Sequence, residues 1–176
     1  MEETIVSTRK VYSGKIVKLD VHEVILPDGQ HSKREVVRHP GAVAVIALDD
    51  QEQLLLVRQF RLAAKQVMIE IPAGTLYPEE PPEECAMREM QEETGYKPAV
   101  LESLGGFFVA PGYTTEFIHL FFATGLTPSP LPGDVDEFIE VLRLPLPAAL
   151  KMIETGEIMD GKTITGLLRV ARRMGL

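Results

Sequence analysis

The sequence predicts an α/β fold: a mixed sheet with helices packed on its faces. Three observations support this. Strand-like segments outnumber helical ones, short turn signals join several of them into hairpins, and Ala42–Leu48 is apolar throughout, as in a strand covered on both faces. The 176 residues suit one domain with a small subdomain, and 45% hydrophobic with 25% charged residues allows a packed core.

Residues 15–26 alternate roughly between apolar and polar and read as a strand. Pro27-Asp28-Gly29 is a turn signal, and residues 33–38 read as the returning strand. His39-Pro40-Gly41 marks a boundary, dividing an N-terminal β-strand segment (1–40) from a main domain (41–176). Ala42–Leu48 and residues 53–59 form a second hairpin about Asp49-Asp50-Gln51-Glu52. A short strand is expected at 67–71, then a Gly/Pro-rich loop at 72–82. Residues 83–94 are strong helix formers that stop at Gly95, with Pro81 and Pro82 just ahead of them. Strands are expected near 100–109 and 115–124, a loop at 127–136 and a strand at 138–144. Two helices close the chain, Leu146–Thr155 and residues 163–174.

Composition narrows the function. The net charge of −8 (18 basic, 26 acidic) disfavours nucleic acid as a partner. The acidic first residues and the short apolar runs predict neither a secretory signal nor a membrane helix. The single Cys85 cannot form an internal disulfide and fits a reducing cytoplasm. Charge is also concentrated: residues 70–95 hold eight glutamates and one arginine. A solvated acidic helix is the plain reading of such a run.

The spacing within the run favours chemistry. At about 100° per residue, Glu89, Glu92 and Glu93 share one helical face. Three like charges there destabilise a helix and raise each other's pKa values unless a cation intervenes. Carboxylate oxygens suit Mg²⁺ or Mn²⁺, and the lack of Cys/His clusters argues against zinc. In the preceding loop, Ala73-Gly74 brings backbone close, with no Cβ on Gly74 to obstruct it. Arg88 either pairs with Glu84 one turn earlier or orients a glutamate of the cluster.

Residues 74–96 run Gly74, Glu80, Arg88-Glu89-Met90, Glu92-Glu93 and Gly95-Tyr96 at fixed spacing. This resembles the complete Nudix box, every specified position being filled. The resemblance implies a Nudix hydrolase: an α/β/α sandwich with an N-terminal β-hairpin subdomain, the box forming loop–helix–loop. It implies that Glu89 and Glu93 ligate metal, that Glu92 does so directly or through water, and that Ala73 offers its carbonyl. Glu80 and Arg88 would support the site.

Pro111, sixteen residues beyond Gly95, is similar to the marker of the ADP-ribose pyrophosphatase branch. The loop around Ala110-Pro111-Gly112, the segment Glu70-Ile71-Pro72-Ala73-Gly74, Arg58-Gln59-Phe60-Arg61 and the hairpin ending Lys33-Arg34-Glu35 resemble that branch too. Ala110 departs from the serine common before the proline, which removes a side-chain hydrogen bond but not backbone contacts. Branch members are typically homodimers that exchange N-terminal segments. By that resemblance Arg34 and Glu35 would reach the partner's site and hold the adenine, and Arg61 would face a phosphate or the terminal ribose. A solvated strand edge remains the alternative for Arg34 and Arg38.

Glu137 is the candidate general base, also offered as a metal ligand. The alternatives are a charge guarding the hydrophobic strand that follows it, and Glu140 as the base. His119 reads as a strand side chain, His39 as a loose match to a substrate-side position, and Cys85 as a small buried thiol. The expected reaction uses two or three Mg²⁺ ions. It hydrolyses the pyrophosphate of ADP-ribose to AMP and ribose 5-phosphate, with Glu137 or a box glutamate taking a proton from water. Three alternatives stay open: another nucleotide sugar such as GDP-mannose, a nucleoside triphosphate, and a non-catalytic binding module.

Overall fold

The computed structural model describes residues 1–133, 135 and 137–176; Asp134 and Asp136, in the expected loop 127–136, lie outside the described residues. The chain forms two compact units.

The first comprises Met1–Gly41 and Phe108–Phe117. Its three strands are β1 (Thr4–Ser13), β2 (Lys18–Ile25) and β3 (His31–Arg38), antiparallel in that order. The turn expected at Pro27-Asp28-Gly29 joins β2 to β3. Gly29 takes φ +85° there, and the Asp28 Oδ1 accepts the Gln30 amide at 3.0 Å. β1 was absent from the sequence expectation. All ten of its residues are exposed, so it carries no alternation of buried and solvated positions, and pairing with β2 defines it instead. The segment 108–117 leans on β3: the Val37 amide donates to the Tyr113 carbonyl at 2.8 Å and the Thr115 amide to the Val37 carbonyl at 3.0 Å.

The second unit comprises Ala42–Phe107 and Ile118–Leu176. Its strands are β4 (Ala42–Leu48), β5 (Gln53–Arg61), β6 (Gln66–Glu70), β7 (Ala73–Thr75), β8 (Tyr96–Phe108), β9 (Phe117–Pro128) and β10 (Glu140–Pro145). The helices are α1 (Pro82–Glu89), α2 (Leu146–Thr155) and α3 (Gly161–Met174). The strands form one mixed sheet, β10-β5-β4-β9-β8, with β6 on β5 and β7 on β4. β4 runs parallel to β9 and antiparallel to β5.

β4 explains the sandwich. Its alternate residues face opposite ways, as strand geometry requires. Ala42, Ala44 and Ile46 pack with Leu146 and Ala149 of α2 and Leu167, Val170 and Ala171 of α3. Val43, Val45 and Ala47 pack with Cys85 and Ala86 of α1 and with Met90 just beyond it. Helices therefore cover both faces, which is why the strand is apolar throughout.

Among the differences from expectation, three bear on the site. The helix expected over 83–94 is α-helical only to Glu89; Met90–Thr94 is a wider π-helical turn, closed by Gly95 at φ +79°. The expected loop 72–82 contains β7, which pairs Ala73 with Ala44 and Gly74 with Val43. α3 begins at Gly161 rather than 163, because Asp160 caps it by accepting the Thr163 amide at 2.9 Å.

Candidate active site

β7 places Ala73 and Gly74 beside the acidic turn. The Ala73 amide donates to Glu93 Oε2 at 3.0 Å. A Cβ built on Gly74 would lie 1.8 Å from Glu89 Oε1, so the missing side chain is the space that Glu89's carboxylate fills. Glu89 and Glu93 are only 9% and 7% exposed. Burial pushes Glu89 up to about 7, against the pull of Arg88 and with a further push from Glu92 and Glu137. Burial likewise pushes Glu93 up to about 8; the Ala73 amide opposes this, while Glu89 and Glu137 add to it.

Arg88 does not pair with Glu84. Its guanidinium binds Glu80 Oε1 (2.9 Å), Glu89 Oε1 (2.7 Å) and Glu92 Oε2 (2.8 Å), and it lies 4.3 Å from the centre of the Tyr77 ring. Burial opposes its charge, but the hydrogen bond it donates to Glu80 and the charge of Glu89 outweigh it. Hydrogen bonding to Arg88 in turn holds Glu80 down at about 2. The cluster therefore has an internal counter-charge in Arg88, which takes the second of the two arrangements the sequence offered for it. Arg88 holds Glu89 and Glu92, and the Ala73 amide holds Glu93; among the described residues no three acidic, His or Cys side chains converge on an ion position.

The donor chemistry nevertheless fits a hard divalent cation. The donors are carboxylate oxygens, and two of the carboxylates carry a burial penalty that a cation would offset. Glu137 is exposed, and its charge acts on both Glu89 and Glu93. Glu140, the alternative base, opens β10 with its carboxylate 2.5 Å from Arg58.

Arg61 ends β5 and grips Glu70 with two hydrogen bonds, Nε to Oε1 and Nη2 to Oε2, both 2.8 Å. Glu70 is 2% exposed and also binds Lys162. Burial would raise its pKa, but Arg61 and Lys162 together lower it. No role for Glu70, Lys162 or Asp160 came from the sequence. The available signals were an acidic residue directly before Ile71-Pro72 and the cap pattern Asp160-Gly161-Lys162-Thr163.

Of the remaining candidates, Arg34, Glu35, His39 and Ala110-Pro111-Gly112 fall in the first unit, and Cys85 and His119 in the second. Arg34 pairs with Glu3 at 2.5 Å, and Glu35 is exposed on β3. The Ala110 carbonyl accepts the amides of Tyr113 (3.1 Å) and Thr114 (3.0 Å), leaving Pro111 and Gly112 exposed at the turn. His39 Nδ1 accepts the Gly41 amide at 3.1 Å, and His119 lies within β9. Cys85 is fully buried, and burial drives its thiol far above the usual range.

Comparison with known proteins shows the family. The NUDIX domain pattern matches residues 37–164, and a nucleoside diphosphate sugar hydrolase N-terminal domain matches residues 3–37. The chain belongs to the Nudix family, a family of hydrolases that generally depend on divalent metal. It is 42% identical over 165 residues to an ADP-ribose pyrophosphatase of Bacillus subtilis (strain 168), covering 93% of this chain and 89% of that protein. It is 44% identical over the same shares to a methanol dehydrogenase activator of Bacillus methanolicus. A GDP-mannose pyrophosphatase of Citrobacter koseri is 42% identical over 75% of this chain and 74% of its own length. A solved ADP compounds hydrolase shares the fold at TM-score 0.88 and 22% identity, over 99% of this chain and 95% of the other. Among the described residues, no helix is long and apolar enough to cross a membrane.

Proposed function

We propose that the protein hydrolyses the pyrophosphate bond of ADP-ribose, giving AMP and ribose 5-phosphate. The observation that carries this reading is the buried Glu89/Glu93 pair, walled by Gly74 and Arg88 and overlooked electrostatically by Glu137. Glu89, Glu92, Glu93, Glu137 and the Ala73 carbonyl would hold two or three Mg²⁺ ions, with Mn²⁺ as a substitute. When bound, such ions neutralise phosphate charge and acidify water.

The chain's own groups do the rest. Glu137 is exposed, its charge acts on Glu89 and Glu93, and it takes the proton of the attacking water. Water oxygen bonds to phosphorus as the bridging P–O bond breaks. Arg88 orients Glu89 and Glu92, and Ala73 orients Glu93. Arg61 faces a phosphate with the edge of its guanidinium that Glu70 does not use. Arg34, Glu35 and the Ala110-Pro111-Gly112 turn contact the nucleotide sugar, the first two across a homodimer in the cytoplasm.

The similarity to GDP-mannose pyrophosphatases supports a second reading, in which the sugar nucleotide carries guanine. A product assay with Mg²⁺ over ADP-ribose, GDP-mannose, UDP-glucose and 8-oxo-dGTP decides. ADP-ribose should give AMP and the highest kcat/KM. Turnover of 8-oxo-dGTP alone overturns both readings.

A further inference from the structure

The second unit contains a line of alternating charges that the box does not account for. Asp160 caps α3, accepting the Thr163 amide at 2.9 Å and the Thr163 hydroxyl at 2.6 Å. Lys162 lies 3.1 Å from Asp160 and donates to Glu70 Oε2. Glu70 binds Arg61 through both carboxylate oxygens. The Arg61 charge in turn acts on Glu93. Lys162 and Glu70 are 92 residues apart in sequence and nearly sealed from water, with side chains 13% and 3% exposed.

A carboxylate this buried needs its charge matched. With Arg61 as its sole partner, Glu70 would cancel the guanidinium's charge, leaving little to attract an anion. With Lys162 sharing Oε2, Glu70 can hold Arg61 in one orientation while part of the Arg61 charge remains available. Arg61 has the matching geometry: its side chain is 42% exposed, and two of its five N–H groups are used on Glu70. Asp160 does not undo this balance, because the start of α3 and the Thr163 hydroxyl share its charge.

We infer that Lys162 is a positioning residue for the diphosphate of the substrate, acting through Glu70 to hold Arg61 oriented and electrically available. This rests on the reading of the site as one for a nucleoside diphosphate sugar. Lys162 itself touches no reacting atom, so its loss should weaken binding more than chemistry.

The test compares wild type, K162M, K162R and E70Q/K162M. Steady-state kinetics on ADP-ribose would be set beside the calorimetric Kd of its methylene-bridged analogue, measured with and without Mg²⁺. For K162M, KM and Kd should rise about tenfold while kcat changes by less than about threefold. K162R should restore most of the binding. E70Q/K162M should bind better than K162M, since glutamine leaves no unmatched buried charge to draw on Arg61. A packing role for the lysine stem would not produce that rescue. Should K162M fail to fold, K162Q takes its place. Wild type inactive on every nucleoside diphosphate sugar overturns the reading of the site, and this inference with it. Active wild type matched by K162M to within about twofold, or a binding defect unrelieved by E70Q, overturns the inference alone.

Discussion

A Cβ on Gly74 would lie 1.8 Å from the carboxylate of Glu89, so the first residue type of the box and its helical glutamate occupy one shared volume. The contact follows from β7: pairing of Gly74 with Val43 fixes the backbone, and the carboxylate fills the space a side chain would take. Gly74→Ala must therefore displace Glu89 rather than shift the strand. Divalent-cation affinity and kcat/KM should both fall, by about 10–100-fold as for other changes that disturb ligand orientation. Calorimetric titration with Mn²⁺ and steady-state kinetics check this. Unchanged affinity would mean that Glu89 has another place to go.

Glu93 and Glu89 also predict an unusual pH dependence. Both carboxyls are raised from an ordinary value of 4.5, to about 8 and about 7. A raised carboxyl favours the folded state while protonated, so its stabilisation is complete below about pH 4.5 and fades as pH climbs through 7 and 8. Metal-free protein should lose thermal stability across that window. Glu93→Gln should flatten the profile and match or exceed wild-type Tm at pH 8, while turnover falls by orders of magnitude, roughly 10²-fold or more. Melting curves from pH 5 to 9 in EDTA decide. A Tm that rises through the window would contradict the burial of these groups.

The same groups must lose protons when a cation binds. Mg²⁺ uptake at pH 7 should release protons, because Glu93 and Glu89 titrate near that pH without metal. Titration in buffers of different ionisation enthalpy measures the number released. It should shrink as pH rises above 8, where both are already ionised. A release independent of pH would point to a different set of ligands.

Much of this was legible in sequence, and what was missed has identifiable causes. Ala42–Leu48 revealed a doubly covered strand because each face of it packs on helices. The glutamate spacing revealed the cluster, but not its geometry, since the π-helical turn at Met90–Thr94 leaves no mark in residue type. Arg88 offered Glu84 at helical spacing, yet bends to Glu80 in the loop, a choice made by folding of the loop onto α1. β1 escaped notice because every residue in it is exposed. Lys162 met Glu70 only through tertiary packing of α3 against the sheet.

Glu137 and Glu140 offer a test of the base that a single substitution cannot provide. They stand three residues apart in different surroundings. Both are exposed; Glu140 pairs with Arg58 at 2.5 Å, and the charge of Glu137 reaches Glu89 and Glu93. Glu137→Gln should lower kcat by about 10²–10⁴-fold, the usual contribution of a general base, with a much smaller change in KM. Glu140→Gln should leave kcat nearly intact, since an exposed ion pair such as that with Arg58 is worth about 1 kcal/mol or less. Parallel measurement of kcat and KM for both variants separates the roles. If Glu140→Gln carries the larger loss of kcat, the base belongs to the strand and the Arg58 pair must open during turnover.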